Sequence, residues 1–376
     1  MSFKDSVVSW YIQYIIGPKM QNIDSPGFII TSVGGKGKET YRRSLLIEED
    51  LLSTIEEHII EAYGDGGRQA LYSAGKKFGY NYASLSNFTQ FKNNEPEFLK
   101  FVYFLNRYIT TMYATAADYT VDVSRKTFTI QLKDYFVCSK DGIGYIMADG
   151  GIAGIWAYMM NDKTIEGVQT KCQGRKDKLC MVVAGSRVEL DKRGLKYLKE
   201  NNIEELKFDE QYKKLNMERK TEFSQSSLRD LIDSKFFSYD KSFIRHKEMK
   251  YAMVDSNIVY IIENEITKLP GGVQKLFDAC FEHGKLLQVK YGDRNYRKFI
   301  TDYFSALGWG DILVLEGKSG PSVTVNYYPW SIYSEKAEYI IFRGVLSGFI
   351  SSCLGKKVVF DKYSSKIGDC LSITMK

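Results

Sequence analysis

Cys172 and Cys180 lie eight positions apart in the stretch TKCQGRKDKLCMVV, on either side of a loop rich in Lys and Arg. Cysteine thiolates are preferred zinc ligands, and nearby basic side chains stabilise the thiolate form. A zinc site needs four donors, or three and an open position. Glu166 and Cys138 are the candidates for further zinc ligands, if the fold brings them close. The pair can equally be two packed small side chains on neighbouring strands, or a reactive dithiol, and the residues alone leave all three interpretations open.

The other chemistry-bearing residues form no catalytic motif. The histidines His58, His246 and His283 are far apart and belong to no H-E-x-x-H pattern, and no G-x-S-x-G elbow is present. His58 and His283 fall on helical stretches, where a hydrogen-bonded role on the helix face is expected. The stretch EGKSG (316–320) lacks the first glycine of a phosphate loop, because Ile312 stands in its place. We therefore expect binding rather than catalysis.

Composition is that of an ordinary globular protein. The 376 residues, 44% hydrophobic and 26% charged, suffice for two domains with separate cores. No run approaches the roughly 18 apolar residues of a spanning helix, and the N-terminal stretch MSFKDSVVSWYIQYIIGPKM lacks a signal-peptide pattern, so a cytoplasmic protein without a transmembrane segment is expected. The net charge of +6 is dispersed, and no nucleic acid partner is expected. The 27 Tyr and 22 Phe suit a protein that encloses an apolar ligand.

Two parts of the chain repeat each other. GGRQALYSAGKKFG (66–79) and GGVQKLFDACFEHG (271–284) align without gaps at a separation of 205 positions (284 − 79). The identical pairs are Gly66 and Gly271, Gly67 and Gly272, Gln69 and Gln274, Leu71 and Leu276, Ala74 and Ala279, and Gly79 and Gly284. GGIAGIWAYM (150–159) likewise resembles RGVLSGFISS (343–352), with Gly154 on Gly348 at a separation of 194 (348 − 154). The chain therefore contains two copies of one plan with different loop lengths.

Both copies show the same predicted order of elements. In the first, FIITSV (28–33) and TVDVSRKTFTIQL (120–132) alternate as strands do, and helical periodicity covers about 51–85, 96–116 and 149–161. In the second, helices are predicted over about 257–289 and 338–354. The predicted fold class is α+β: two tandem copies of an antiparallel sheet packed with helices around an apolar core or pocket. We place the copies at 1–188 and 226–376, joined by a charged, partly helical linker over 189–225.

Small residues crowd the helical stretch GGIAGIWAYM. A glycine-rich helix start can cradle a phosphate, but the favoured interpretation is that small residues let this helix lie close on the sheet. Trp156 and Tyr158 within the stretch, and Phe136 and Tyr145 before it, are the candidate ligand-binding residues of an apolar pocket.

Taken together, ALYSAGKKFGYNYA, GGIAGIWAYM and CQGRKDKLCMVV resemble the 4-vinyl-reductase-like domain family. Its superfamily includes aromatic-sensing input domains of bacterial regulators and small subunits of the TRAPP vesicle-tethering complex. The resemblance covers most of 28–184 and, more weakly, about 236–376. It implies an α+β sandwich around an apolar pocket, used for small-molecule binding or for assembly.

The resemblance also implies a zinc position. Family members often hold the metal with a cysteine before the small-residue helix, an acidic residue on the next strand, and two cysteines eight apart. Cys172 and Cys180 match the last two ligands, whereas Tyr145 and Gln169 stand at the other two positions, and the second copy keeps only Cys370. The implied metal site at Cys172 and Cys180 is therefore incomplete, and zinc is the one cofactor that the resemblance brings into question.

Three functions follow as hypotheses. The first is a non-catalytic protein that binds or senses an apolar or aromatic small molecule, with its two copies paired as a pseudo-dimer, and acts through a protein partner or another copy of the chain. The second is an assembly or scaffold subunit without a ligand. The third, from the family name and one relative, is an accessory protein of tetrapyrrole or vinyl-group reduction.

Overall fold

The structure is a computed structural model that describes residues 7–8, 10–12, 15, 17–33, 40–136, 146–207, 213, 220–240, 243–292, 295–318, 320–329, 337–361, 363–367 and 371–376. Within these residues no helix is both long and apolar enough to cross a membrane.

A central antiparallel sheet of six strands receives three strands from each copy. These are β1 (Gln21–Ser25), β2 (Phe28–Val33), β3 (Thr40–Glu48), β8 (Ser238–Asp240), β9 (Phe243–His246) and β10 (Met249–Asp255), in the order β1-β2-β3-β10-β9-β8. The equivalent strands β3 and β10 pair antiparallel at the centre, with Leu46 opposite Met253. This is the arrangement that two subunits related by a two-fold axis would adopt. The two copies therefore share one sheet as a pseudo-dimer.

Each copy also has its own four-stranded antiparallel sheet. The first copy contributes β4 (Ala116–Asp122), β5 (Thr127–Lys133), β6 (Ile165–Lys171) and β7 (Cys180–Ser186), in the order β4-β5-β7-β6. The second contributes β11 (Asp311–Gly317), β12 (Gly320–Asn326), β13 (Tyr363–Ile367) and β14 (Leu371–Met375), in the order β11-β12-β14-β13. The two sheets have the same topology, and the predicted α+β fold with antiparallel sheets is confirmed.

Helices pack between these sheets. In and after the first copy they are α1 (Gly17–Met20), α2 (Glu49–Tyr63), α3 (Asp65–Leu85), α4 (Glu95–Tyr113), α5 (Ile146–Met159) and α6 (Arg187–Lys192). In the second they are α7 (Leu228–Asp233), α8 (Asn257–Ile266), α9 (Gly272–Tyr291), α10 (Tyr296–Ala306) and α11 (Ile340–Leu354). Gly64, at φ 55°, ends α2 and lets α3 begin at once. Helices α3 and α5 of the first copy thus correspond to α9 and α11 of the second.

The small residues of the repeat serve a helix–helix contact. A methyl group on Gly79 of α3 would overlap the carbonyl oxygen of Gly151 on α5, and the equivalent Gly284 stands in the same relation to Val345. Gly150 and Gly154 likewise face the backbone of α3. The small residues therefore bring α5 close to α3, which the sequence did not predict. The predicted approach to the sheet is also present, because Asp149 and Ala153 of α5 lie close to Gly167 of β6.

The segment after α6 lies along α3. Residues 193–207 form no helix or strand, and the carbonyl oxygens of Lys199 and Glu200 accept hydrogen bonds from the side chains of Gln69 and Lys76 (2.9 and 2.6 Å). Asn81 donates to the carbonyl oxygen of Glu204 and accepts from the backbone N–H of residue 206 (2.9 and 2.7 Å). The segment is thus attached along the outer face of α3 through its backbone.

A buried ion pair lies beneath this segment. Lys76 Nζ is 2.7 Å from Glu166 Oε2, and both side chains are fully buried. The hydroxyl of Tyr72 donates to the same carboxylate oxygen, and Arg187 donates to the other (2.8 and 2.6 Å). Burial lowers the pKa of Lys76, and Glu166 opposes that effect. The pair therefore joins α3, β6, α6 and the segment after α6.

A candidate ligand cavity at the junction of the two copies

An apolar cavity of about 140 Å³ lies between the helices of the first copy. Its walls come from four helices of that copy (α2, α3, α4 and α5), from the segment that follows β5, and from strand β10 and helix α8 of the second copy. The residues that line it are Leu52, Ala74, Gly75, Phe78, Gly79, Tyr82, Leu105, Tyr108, Ile109, Tyr113, Tyr135, Phe136, Met147, Ala148, Gly151, Ile152, Ile155, Val254, Ile258 and Ile262. The cavity therefore lies at the junction between the copies.

The volume of the cavity matches a single-ring molecule. A cavity of about 150 Å³ lined by Leu, Ile and Phe stays dry and binds benzene. Here none of the described side chains that line the cavity carries a charge. A charged ligand would lose its hydration without gaining a partner from these walls, so a neutral ligand is favoured.

Tyrosines supply the polar atoms near the cavity. The Tyr113 hydroxyl donates to the carbonyl oxygen of Met253 on β10 (2.9 Å), so one cavity wall is bonded to the other copy. The guanidinium of Arg42 lies 4.5 Å from the centre of the Tyr82 ring and 3.6 Å from Asp255. Burial raises the pKa of the Asp255 carboxyl, and Arg42 opposes that rise. This group places hydrogen-bonding atoms beside an otherwise apolar cavity.

The equivalent space in the second copy is nearly filled. There a void of only about 20 Å³ remains, lined in part by Phe342, Val345 and Trp309. At a separation of 194, Phe342 and Val345 correspond to Ala148 and Gly151 of the first cavity. The rings of Trp309 and Phe342 are stacked with their centres 4.9 Å apart. They fill the space that the smaller residues leave open in the first copy. The two copies share a fold, but only the first keeps a cavity of ligand size among the described residues.

A polar contact occupies one side of the filled space. His283, which corresponds to Phe78 of the first cavity, makes a buried contact through its Nε2 with the carboxylate of Glu48 on β3. The Tyr251 hydroxyl lies 3.5 Å from the same glutamate and 2.9 Å from the hydroxyl of Tyr303. His283 thus has the hydrogen-bonded role expected from sequence, but it makes its contact across the copy junction.

Buried carboxyl groups stand at the start of α5 and α11. Glu56 accepts a hydrogen bond from the backbone N–H of Ile146 (2.8 Å), and Glu263 accepts one from that of Ile341 (3.0 Å). Burial raises the pKa of Glu56 to about 8 and that of Glu263 to about 7. In each copy, therefore, a buried carboxyl group with a raised pKa accepts a hydrogen bond from the backbone at the start of the small-residue helix.

The candidate pocket residues do not all lie at the cavity. Phe136 lines it. Trp156 stacks on Phe128 at 5.1 Å and lines an adjoining void of about 10 Å³. Tyr158 instead lines a surface cleft of about 530 Å³ and packs edge-on against Tyr80. Tyr145 lies outside the described residues.

Cys172 and Cys180 lie at the loop end of the β6–β7 hairpin, Cys172 just after β6 and Cys180 at the start of β7. Both thiols are buried, and the backbone N–H of Gln173 donates to the sulfur of Cys180 (3.4 Å). Burial raises the pKa of the Asp149 carboxyl to about 8, and Cys172 makes a smaller contribution in the same direction. Among the described residues, no group of three or more His, Cys, Asp and Glu side chains is placed to hold a metal ion. Zinc therefore gains no support there, while Cys138 and Cys370 lie outside the described residues.

Comparison with solved structures gives remote likenesses. The chain is similar to the crystal structure of the phenol-responsive sensory domain of the transcription activator PoxR with phenol, at a TM-score of 0.34 and 11% sequence identity. The match covers 52% of this chain and 96% of that chain. Neither a protein-family model nor a curated protein matches the sequence. A likeness of this degree does not bear on function.

Several cavity residues were not expected from the sequence. The sequence gives Gly151 a packing role and gives no role to Ala148, and Ile258 and Ile262 belong to the other copy. The repeat alignment does indicate a difference between the two interiors, because small residues of the first copy align with large residues of the second. The contribution of α8 could not be seen without knowing that β3 pairs with β10.

Proposed function

We propose that the chain binds one small, neutral, apolar molecule, about the size of a single aromatic ring, in the cavity between α3, α5 and α8. The observation that carries this proposal is the contrast between the two copies: an uncharged cavity of about 140 Å³ in the first and a filled counterpart of about 20 Å³ in the second. Packed cores rarely keep voids larger than a water molecule. A void of this size, found among the described residues in one of two related cores, is therefore favoured as a binding site.

The repeat and the small-residue helices also support kinship with the 4-vinyl-reductase-like domains, which we include in the proposal. Of the sequence-predicted ligand residues that the structure describes, Phe136 is the one that lines the cavity. The chain would act in the cytoplasm and pass its occupancy to a protein partner. A tetrapyrrole is not proposed, because the cavity of about 140 Å³ is too small for it: even drug-sized ligands occupy sites of about 300–1,000 Å³.

An assembly function is the second candidate. Leu286 and Val289 lie one turn apart on α9 and are 50% and 76% exposed. Exposed apolar residues on one helix face favour contact with another protein, although two residues make only a small patch. This function predicts a bound partner and no change in melting temperature with small apolar molecules.

A matched pair of glycine substitutions tests the ligand proposal. A methyl group on Gly151 would meet only the carbonyl oxygen of Gly75, at 3.9 Å, and one on Gly66 would meet nothing within 4 Å. Both glycines lie in helices, but only Gly151 lines the cavity. Toluene, phenol and cyclohexane are titrated calorimetrically into the wild type, Gly151→Val and Gly66→Val.

We expect at least one probe to bind the wild type and Gly66→Val with one site per chain, and to bind Gly151→Val at least about tenfold more weakly. Binding should also raise the melting temperature of the first two proteins by mass action. If no probe binds the wild type, or if both variants bind equally well, the proposal is wrong. If the protein binds no probe but is recovered with a bound protein partner, the assembly function is favoured.

A further inference from the structure

Part of the first copy's cavity is built by the second copy. Val254 of β10 and Ile258 and Ile262 of α8 line it, each four positions after the last. Ile262 is 1% exposed and Ile258 is 9% exposed. On a helix, residues four apart lie on one face. A single face of α8 therefore forms this wall.

Two contacts fix the position of this wall. Lys77 of α3 lies 2.9 Å from Glu265 at the end of α8, and both side chains are largely buried. At the other end, the Tyr113 hydroxyl donates to the carbonyl oxygen of Met253, next to Val254. Helix α8 is thus held against α3 and α4, so its isoleucines cannot retreat freely from a ligand.

The relationship between the copies is reciprocal. Leu46, Ile47, Glu48 and Leu51 of the first copy line the remaining void of the second, as Val254, Ile258 and Ile262 line the cavity of the first. Each copy therefore closes the interior of the other, but within the part of the chain that the structure describes, only the first copy's interior has room for a ligand. The second copy therefore contributes one wall of the first copy's cavity.

We propose that Ile258 and Ile262 of the second copy determine the ligand size that the first copy accepts. This inference rests on the proposed function, because it concerns the same cavity. The two side chains stand at the junction end, where shortening them extends the cavity toward the second copy. Another boundary of the cavity is set by the contact of α3 with α5, where the backbones approach closely.

The test compares a size series on the full-length chain. Toluene, propylbenzene and naphthalene are titrated into the wild type, Ile258→Ala, Ile262→Ala and a control, Leu51→Ala. Leu51 is also buried, and it lines the filled space of the second copy rather than the cavity. Ile262→Val serves in place of Ile262→Ala if the alanine variant does not fold.

We expect the affinity ratio of naphthalene to toluene to rise at least about tenfold in the isoleucine variants and to stay unchanged in Leu51→Ala. A smaller rise in the same direction is expected for Ile262→Val. If the wild type binds toluene but the ratio does not move in any isoleucine variant, the inference is wrong and the proposed function stands. If the wild type binds none of the three probes, the proposed function itself is wrong.

Discussion

Ala148 and Phe342 occupy equivalent positions on α5 and α11, and this difference separates an open interior from a filled one. The Phe342 ring stacks on Trp309, whereas Ala148 leaves its space to the cavity of about 140 Å³. The same fold therefore carries two different interiors.

Exchanging these residues should exchange the properties of the copies. Phe342→Ala is expected to destabilise the chain by about 3–5 kcal/mol, as truncation of a buried phenylalanine does. It should also open a second site, so that toluene titration gives two sites per chain. Ala148→Phe should remove binding. A Phe342→Ala protein that keeps one site at full stability would show that Phe342 does not fill the second interior.

Stability should fall as pH rises through the neutral range. The folded-state pKa of Glu56 is about 8, above its ordinary value of 4.5, so the folded chain retains a proton that the unfolded chain loses. The stabilisation from this bound proton is fully present below about pH 4.5 and is lost by about pH 8. Between these values the free energy of unfolding falls by about 1.4 kcal/mol per pH unit. Asp149 and Glu263, with pKa values raised by burial to about 8 and about 7, act in the same direction.

Glu56→Gln isolates the contribution of Glu56, since glutamine can still accept the Ile146 N–H. Urea unfolding from pH 5 to pH 8 should show the variant gaining stability relative to the wild type as pH rises. Glu61→Gln, on the exposed face of the same helix, should show no such gain. Parallel pH profiles for Glu56→Gln and the wild type would contradict the raised pKa.

Loss of the Glu166 charge should release the segment after α6. Glu166→Gln leaves Lys76 buried without its anion, which is expected to cost about 3–5 kcal/mol. Limited proteolysis should then cut within residues 195–207, because the backbone contacts of Glu200 depend on Lys76. Lys163→Gln, which removes an exposed ion pair with Glu205, should leave both stability and cleavage nearly unchanged.

Removal of metal should not destabilise the hairpin that carries Cys172 and Cys180. Among the described residues these thiols have no set of three metal-binding side chains around them, and both are packed in the core. Dialysis against a chelator should leave the melting temperature unchanged, and native mass spectrometry should give the mass of the polypeptide alone. One zinc per chain, lost in Cys172→Ser, would contradict the packed-pair interpretation.

The repeat was the most informative feature of the sequence. It predicted the common topology of the copies because Gly79 and Gly284 meet matching carbonyl oxygens in both helix pairs. The sequence could not show which of the many aromatic residues face a cavity, and Tyr158 lies in a different cleft. Lys76 gave no indication of burial, since a lysine in a helix is usually exposed and its partner Glu166 lies on a distant strand.

Bromobenzene tests the cavity directly, because bromine can be located by anomalous scattering in a crystal of the full chain. We expect one bromine peak per chain between Ala148, Phe78 and Ile262. A peak only in the second copy, or only in the surface cleft beside Tyr158, would contradict it, as would crystals soaked to saturation without a peak in the cavity.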